Sequence, residues 1–183
     1  MKSILPLDEL NRLETTLREM FPNGLVEEDL EDVIDLMLDL FLLAYATGNE
    51  AVSEALGFPY EPSYDKVMET VDRNIAGETW RDRVKEWFSN NGTVDDLIRI
   101  ADTEMHRDAN EAALNTAKEA GAKYKTWMTM LDDRVRDTHF PLQSVRVPID
   151  ADFYTFDGDK AQAPGMFERA ENNVNCRCEL RFE

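Results

Sequence analysis

The stretch "TVDDLIRIADTEMHRDANEAALNTAKEAG", residues 93–121, decides the fold class of this chain. Its first residue, Thr93, is of a type that caps the amino end of a helix, and Asp95 and Asp96 suit the positive end of the helix dipole. Gly121 is of a type that commonly ends a helix. We therefore predict one long helix between Thr93 and Gly121.

One line of side chains along this helix is polar. Thr103, Arg107, Asn110 and Leu114 are separated by four, three and four residues, so they project from the same face. A polar line of this kind is either a solvated stripe or a network onto which another segment docks. The residues alone leave both interpretations open.

The chain changes character after Gly121. "KYKTWMTM", residues 123–130, alternates in hydrophobicity and is rich in β-prone residues, which predicts a strand. Short extended pieces are expected near 145–147 and 153–156. "CRCELRF", residues 176–182, alternates again and predicts a closing strand. The residues predicted to share one face of that strand are Cys176, Cys178, Leu180 and Phe182.

The residues before Thr93 show helical periodicity. A first helix is predicted over 7–21, and a second over 26–48 with its end at Gly48. Ser63 and Thr79 are expected to cap two further helices. The fold class that follows is α+β, with an acidic helical region over 1–92 and a motif-bearing module with a few short strands over 93–183.

The charge balance narrows the possible partners. The net charge is −18, of which −13 falls on residues 1–100 and −5 on residues 101–183. Such a surface repels phosphate backbones, so direct nucleic-acid binding is not expected, whereas a basic protein partner is favoured. The longest apolar stretch is interrupted by aspartates and is too short for the ~20 residues of a membrane span. With no signal-peptide pattern either, we expect a cytosolic protein when made.

Cys176 and Cys178 are the two cysteines of the chain and flank Arg177. A disulfide between them is disfavoured, because residues two apart on a strand fit disulfide geometry poorly. They are then either buried thiols or zinc ligands, the latter together with His106 or His139.

The stretch "DDRVRDTH", residues 132–139, concentrates charged groups. An enzymatic interpretation makes His139 a general base with Asp132 or Asp133 as its orienter or as a metal ligand, as in a small nuclease or phosphate-acting hydrolase. The alternative is a turn held by arginine–carboxylate pairs. The sequence contains no glycine-rich phosphate loop, nucleophile elbow, HExxH or CxxC.

In their order and spacing these motifs resemble the phage Mu F-like minor head protein family, also called phage head morphogenesis proteins. The resemblance covers roughly residues 100–182. It runs through "TE…R…N" in a helix, a tryptophan-led turn motif, a Pro-Gly turn and "NCRC". The residues that carry it are Thr103, Glu104, Arg107, Asn110, Trp127, Thr129, Asp132, Arg134, Arg136, His139, Pro164, Gly165, Asn175, Cys176, Arg177 and Cys178.

The resemblance implies a non-enzymatic protein of the virion. Family members are minor head components that associate with the portal and help build a head competent to package or release DNA. We therefore expect the portal protein as partner, with the major capsid or scaffold protein as further partners. The expected location is the virion head near the portal, after assembly in the host cytoplasm.

The resemblance also bears on metal binding. Many relatives look like zinc binders, with a CxxC pair at the positions of Arg136 and His139 and a histidine at the position of Asn173. We expect no resident cofactor here. If zinc is bound, a zinc-stabilised binding module with His139, Cys176 and Cys178 as ligands is the alternative.

We instead expect the motif to hold the fold together. Our hypothesis is that the 132–139 turn is fastened to the 176–182 strand by hydrogen bonds beside the two cysteines. The residues expected in this cluster are Asp132, Arg134, Arg136 and His139, backed by Thr103, Arg107 and Asn110 of the long helix.

Overall fold

The structure is a computed structural model that describes residues 4–22, 27–75, 77–90 and 92–183. Its helical part comes first and its strands follow, so the predicted α+β class is confirmed. A single 3₁₀ turn precedes α2 at Glu27–Asp29, and another lies at Phe140–Leu142. The helices are α1 Leu7–Met20, α2 Leu30–Leu56, α3 Tyr64–Val71, α4 Trp80–Ser89, α5 Val94–Glu119 and α6 Ala170–Asn173, and the strands are β1 Tyr124–Met128, β2 Arg146–Pro148, β3 Phe153–Tyr154, β4 Lys160–Ala161 and β5 Glu179–Phe182.

The predicted helix caps are present. The Thr93 hydroxyl accepts a hydrogen bond from the Asp96 amide at 3.3 Å, and the Asp96 carboxylate accepts one from the Thr93 amide at 3.2 Å. Thr79 forms the same reciprocal capping box at α4, and Ser63 caps α3. These caps satisfy amides that have no partner inside the helix, which fixes where each helix begins.

The predicted end of the second helix at Gly48 is wrong. Helix α2 continues to Leu56 and ends at Gly57, which adopts the left-handed conformation with φ 64°. Gly48 instead lies where α2 and α5 are in close contact, since a Cβ placed there would lie 2.1 Å from the Ala109 carbonyl oxygen. The glycine serves helix–helix packing rather than helix termination.

The helices enclose one apolar cluster. Phe41 of α2 meets Trp80 of α4 edge to face, with ring centroids 4.9 Å apart. Burial of such side chains is the main favourable term of folding, at roughly 25 cal/mol per Å² of apolar surface. The α5 residues in this cluster are Leu97, Ala101, Met105 and Ala109.

A second apolar cluster lies under a three-stranded antiparallel sheet of order β2-β1-β5. Trp127 of β1 is fully buried, pairs with Leu180 of β5 and contacts Phe153, with ring centroids 5.0 Å apart. Leu114 of α5 belongs to this cluster. Helix α5 thus contributes to both of these clusters. The predicted domain boundary at 92/93 coincides with the amino-terminal cap of α5 and stays a prediction.

The closing strand is shorter than predicted. It spans Glu179–Phe182, and both cysteines precede it. The chain turns there because Asn175 has φ 55° and the Cys176 amide donates to the Asn173 carbonyl. Cys176 and Cys178 are nevertheless buried with Leu180. None of the helices in the described ranges is long and apolar enough to span a membrane.

Candidate functional site

The centre of the carboxy-terminal motif is a buried group of His139, Cys176 and Cys178. The Nδ1 atom of His139 lies 3.6 Å from Sγ of Cys176 and 3.5 Å from Sγ of Cys178. The three possible ligand atoms all lie within 4.8 Å of one another. His139 is placed by the 3₁₀ turn that follows it, and the cysteines by the turn before β5.

Aromatic rings enclose this group. The His139 ring stacks on Phe167 with centroids 5.2 Å apart and meets Trp127 edge to face at 5.6 Å. The hydrogen bond from the Cys176 thiol lowers the pKa of Cys178 to about 5. The same hydrogen bond, together with burial, raises the pKa of Cys176 well above its usual value. Cys178 is therefore the more acidic of the two thiols.

The donor set is incomplete for a structural zinc ion. Closed zinc sites use four ligands, and within the described part of the chain the group holds three. A metal-bound histidine normally donates its other ring N–H to an acceptor. Here Nε2 of His139 is buried and has no hydrogen-bond partner among the described residues. The residues fit an open three-ligand site and do not fit a closed tetrahedral one.

Arg177, between the two cysteines, pairs with Asp132. Its two terminal nitrogens donate to the two oxygens of the Asp132 carboxylate at 2.7 and 2.8 Å. This bidentate pair lowers the pKa of Asp132 to about 2. The Arg134 amide also donates to Asp132, at 3.1 Å, whereas the Arg134 side chain is 73% exposed. Asp132 is thus joined to Arg177 across the turn, and Nε of the exposed Arg134 side chain lies 3.8 Å from the same carboxylate.

Arg136 and Thr138 make the remaining contacts of the 132–139 turn. Arg136 donates to the backbone carbonyls of Glu171 and Val174, at the carboxyl end of α6. Thr138 donates from its hydroxyl to the side chain of Asn172 at 2.8 Å. The turn is therefore attached to the 171–178 segment at Asp132, Arg136, Thr138 and His139.

Arg107 lies elsewhere, which corrects the expectation that it backs this turn. Its guanidinium donates to the carbonyls of Thr70 at 2.8 Å and Val71 at 3.0 Å, the last residues of α3. Carbonyls at a helix carboxyl end are negative and lack partners within the helix, so a buried arginine is drawn to them. Arg107 also contacts the carboxylates of Glu104 at 2.9 Å, Asp108 at 2.8 Å and Glu111 at 3.5 Å.

The other polar residues of α5 divide between two tasks. Thr103 donates to the Arg99 carbonyl at 2.8 Å within its own helix and does not join the cluster. Asn110 does reach the motif, since its amide nitrogen lies 3.4 Å from the Cys178 carbonyl oxygen. Glu104, buried with Arg107, also pairs with Arg83 at 2.5 Å.

Two further positions make contacts that the sequence analysis did not predict. His106 places Nε2 2.7 Å from the Cys178 carbonyl oxygen, and burial lowers the pKa of His106 to about 4. Its spacing of four residues from Asn110 was the available signal. Asp159 accepts four hydrogen bonds, from the amides of Lys160, Glu168 and Arg169 and from the Asn172 side chain. Nothing in the sequence marked that residue.

The Pro-Gly turn is required by packing. Gly165 has φ 85°, and a Cβ there would lie 2.9 Å from the Cα of Arg107. A side chain at this position would push the 163–167 segment off α5. The glycine therefore lets the module lie against the helix backbone.

An open cleft of about 1220 Å³ lies between the amino-terminal segment and the module. Charges of both signs line it, including Asp102, Arg134, Arg136 and Glu171. The space beside His139 and both cysteines is much smaller, about 10 Å³, or roughly one water-sized probe.

Comparison with known proteins identifies the class of this chain. Residues 64–181 match the family described as Phage Mu protein F like protein, which is more than half of the chain. The chain therefore belongs to this family, as the resemblance predicted, and the match begins earlier than residue 100.

Two curated relatives are similar to parts of the chain. Minor head protein GP7 of Bacillus phage SPP1 is 34% identical over 85 residues, covering 45% of this chain and 28% of that protein. The NAD(+)--arginine ADP-ribosyltransferase EFV of Enterococcus faecalis is 30% identical over 125 residues, covering 62% of this chain and 25% of that protein. The chain thus spans about a quarter of the length of these relatives. No solved structure matches.

Proposed function

We propose that this chain is a minor head protein of a tailed phage or prophage that binds the portal protein during head assembly, DNA packaging or ejection. Membership of the Mu F-like family and similarity to a phage minor head protein support a role in head morphogenesis. Major capsid or scaffold protein would be further partners. The location is the virion head near the portal, reached from the host cytoplasm.

One observation carries the non-enzymatic part of this proposal. The charged residues of the motif are used in contacts with one another. Asp132 is joined to Arg177, Arg136 to the end of α6, and His139 to the two cysteines. Charge-assisted hydrogen bonds are stronger than neutral ones, and a bidentate arginine–carboxylate pair also fixes geometry. These contacts support a role of the motif in holding the module together.

The nuclease or hydrolase alternative requires His139 to reach a substrate. A general base must lie within hydrogen-bond distance of the proton it removes. His139 is 1% exposed, and its Nδ1 already faces two sulfur atoms. Asp132 is the second group of that alternative. Its carboxylate is neutralised by Arg177, and this contact disfavours a role for Asp132 as the partner of a general base. These contacts favour binding over catalysis.

We further propose that the fold needs no resident metal. Arg136 stands where zinc-binding relatives are expected to place a cysteine, and it makes carbonyl contacts that attach the same turn to the same segment. A direct attachment through an arginine replaces one that a metal could otherwise provide. Metal analysis of the purified protein tests this separately from the binding function.

Co-expression tests the binding function. The tagged chain would be produced with the portal protein of its own phage, or with the capsid or scaffold protein, and purified through the tag. We expect the portal to co-purify in a complex that elutes as one species in size exclusion. Recovery of the chain without portal, capsid or scaffold protein would contradict the proposal.

A further inference from the structure

One continuous stretch of the chain has no positive charge. Residues 19–65, between Arg18 and Lys66, contain twelve Asp and Glu and not one Lys, Arg or His. The remainder of the chain mixes both signs. Helix α2 lies inside this stretch. Positive charges that could pair with its exposed acids must therefore come from other elements of the chain or from another molecule.

The exposed side of α2 is one narrow face. Its main positions are spaced by three, four or seven residues, so they lie above one another along the helix. Leu36 is partly buried at the edge of the helical core, and Leu43 is 39% exposed. We call this surface the α2 face, and its residues are Asp32, Asp35, Leu36, Asp39, Leu43 and Glu50.

The acids of the α2 face have no cation partner in the described part of the chain. The nearest cation in sequence, Arg18, is used by Glu14 and Asp95. Neighbouring like charges three and four residues apart, such as Asp32, Asp35 and Asp39, repel one another on a helix. The isolated protein gains nothing from this arrangement, whereas a positively charged partner would remove the repulsion.

The pattern of the α2 face also specifies the shape of the partner. Leu36 and Leu43 are seven residues apart, which is the repeat that a second helix matches when it packs alongside. Acids flank both leucines, as complementary charges flank the apolar seam of paired helices. From Asp32 to Glu50 the face extends about 27 Å at 1.5 Å per residue.

We propose that the α2 face docks a basic amphipathic helix of another protein, with apolar residues one heptad apart and Lys or Arg on both sides. Nucleic acid and anionic lipid carry the same sign as this face and are repelled. A second copy of the chain would bring the same acids to the contact. A helix that presents cations around an apolar seam satisfies both features at once.

The inference deepens the proposed function, because it rests on that function for its assumption that the partner is a head protein. The docking surface itself is testable without that partner. The probe is a synthetic 21-residue helical peptide with Leu at the heptad seam and Lys at the flanking positions. A sister peptide with Glu in place of Lys is the charge control.

Binding of each peptide to the full chain would be measured by isothermal titration calorimetry at two salt concentrations. The test variant is Asp35→Lys with Asp39→Lys. The matched control is Glu119→Lys with Asp133→Lys, two exposed acids outside the α2 face with the same change in net charge. Circular dichroism would verify that both variants fold, which exposed positions should allow.

We expect the Lys peptide to bind the parent chain and to lose affinity at higher salt. The α2 variant should bind it about tenfold or more weakly, the control within about threefold, and the Glu peptide should not bind. Leu43→Ser should also weaken binding. Equal losses in the two charge variants would overturn the inference, because attraction would then follow net charge alone.

The same variants separate this inference from the proposed function. If the parent chain forms a complex with a head protein and the Asp35→Lys, Asp39→Lys variant forms it equally well, the α2 face is not the docking surface. If the peptide results hold and no head protein binds the parent chain, the docking surface stands and the proposed function is wrong.

Discussion

Replacing Arg107 by alanine should destabilise this protein more than replacing any exposed arginine. The Arg107 side chain is 1% exposed and donates to two backbone carbonyls at the end of α3. Glu104 and Glu111 keep a second arginine each in the variant, Arg83 and Arg73. The Val71 carbonyl would lose its donor, the Thr70 carbonyl would keep only a backbone donor, and buried Asp108 would lose the cation 2.8 Å from it, and these losses are the physical origin of the effect.

The magnitude follows from the cost of breaking a buried ion pair on one side. Such changes cost about 3–5 kcal/mol, because the remaining charge and acceptors stay buried and unpaired. Each kcal/mol lowers the melting temperature by about 2–4 °C in a chain of this size. We therefore expect Arg107→Ala to melt about 6–20 °C below the parent protein.

Thermal unfolding followed by circular dichroism measures this loss, and Arg99→Ala is the matched control. Arg99 also lies on α5 and pairs with Asp96, but its side chain is 54% exposed. An exposed pair of this kind contributes at most about 1 kcal/mol. If the two variants melt within about 2 °C of each other, Arg107 does not hold α3 to α5 and the account of the cluster is wrong.

Three further predictions concern other buried positions. Lys125 is fully buried, and its Nζ has no hydrogen-bond partner among the described residues. Burial lowers the pKa of Lys125 to about 8. Below that pH the buried charge destabilises the folded protein, and this destabilisation decreases as the pH rises above it. Lys125→Met should therefore stabilise the protein at pH 7 by about 1–3 kcal/mol, and the variant should not show the parent's gain in stability above pH 8. The control Lys123→Met, at an exposed position, should change neither the stability at pH 7 nor its dependence on pH. Chemical denaturation measures both quantities. Gly48→Ala should lower the melting temperature, because the alanine Cβ would overlap the Ala109 carbonyl. This overlap should outweigh the ~1 kcal/mol by which alanine is favoured over glycine in a helix. A rise in melting temperature would show that the two helices are not in close contact there. Elemental analysis of protein purified without chelator should find no stoichiometric zinc. Cys178→Ser should still lower the melting temperature, because it disturbs the packing of the two cysteine side chains. One equivalent of zinc would instead show that a metal attaches the turn to the 171–178 segment.

Local features of the fold could be predicted from the sequence because their causes are local. Ser63, Thr79 and Thr93 are followed by residues that complete each cap within three positions. The strand around Trp127 follows from alternation over a few residues. Gly48 could not be assigned in this way, because a glycine that ends a helix and one that admits a second helix look the same along the chain.

The candidate site was harder to predict because its contacts are long-range. The spacing on α5 placed Arg107 and Asn110 on one face, yet they reach different partners. Arg107 contacts Thr70 and Val71, 37 and 36 residues earlier, whereas Asn110 contacts Cys178, 68 residues later. Helical periodicity gives the direction of a side chain and says nothing about which distant segment lies there. The acceptors in these contacts are backbone carbonyls, which every residue possesses, so no residue type could have marked them.

The position of α5 in both apolar clusters has a mechanical consequence. A push or twist applied to the α1–α4 body is carried along 26 residues of continuous helix to the sheet, with no linker to absorb it. Whatever docks at one end of the molecule is held at a fixed distance and angle from whatever docks at the other. The chain can thus act as a rigid spacer, and it should lose both ends together in a single cooperative melting step.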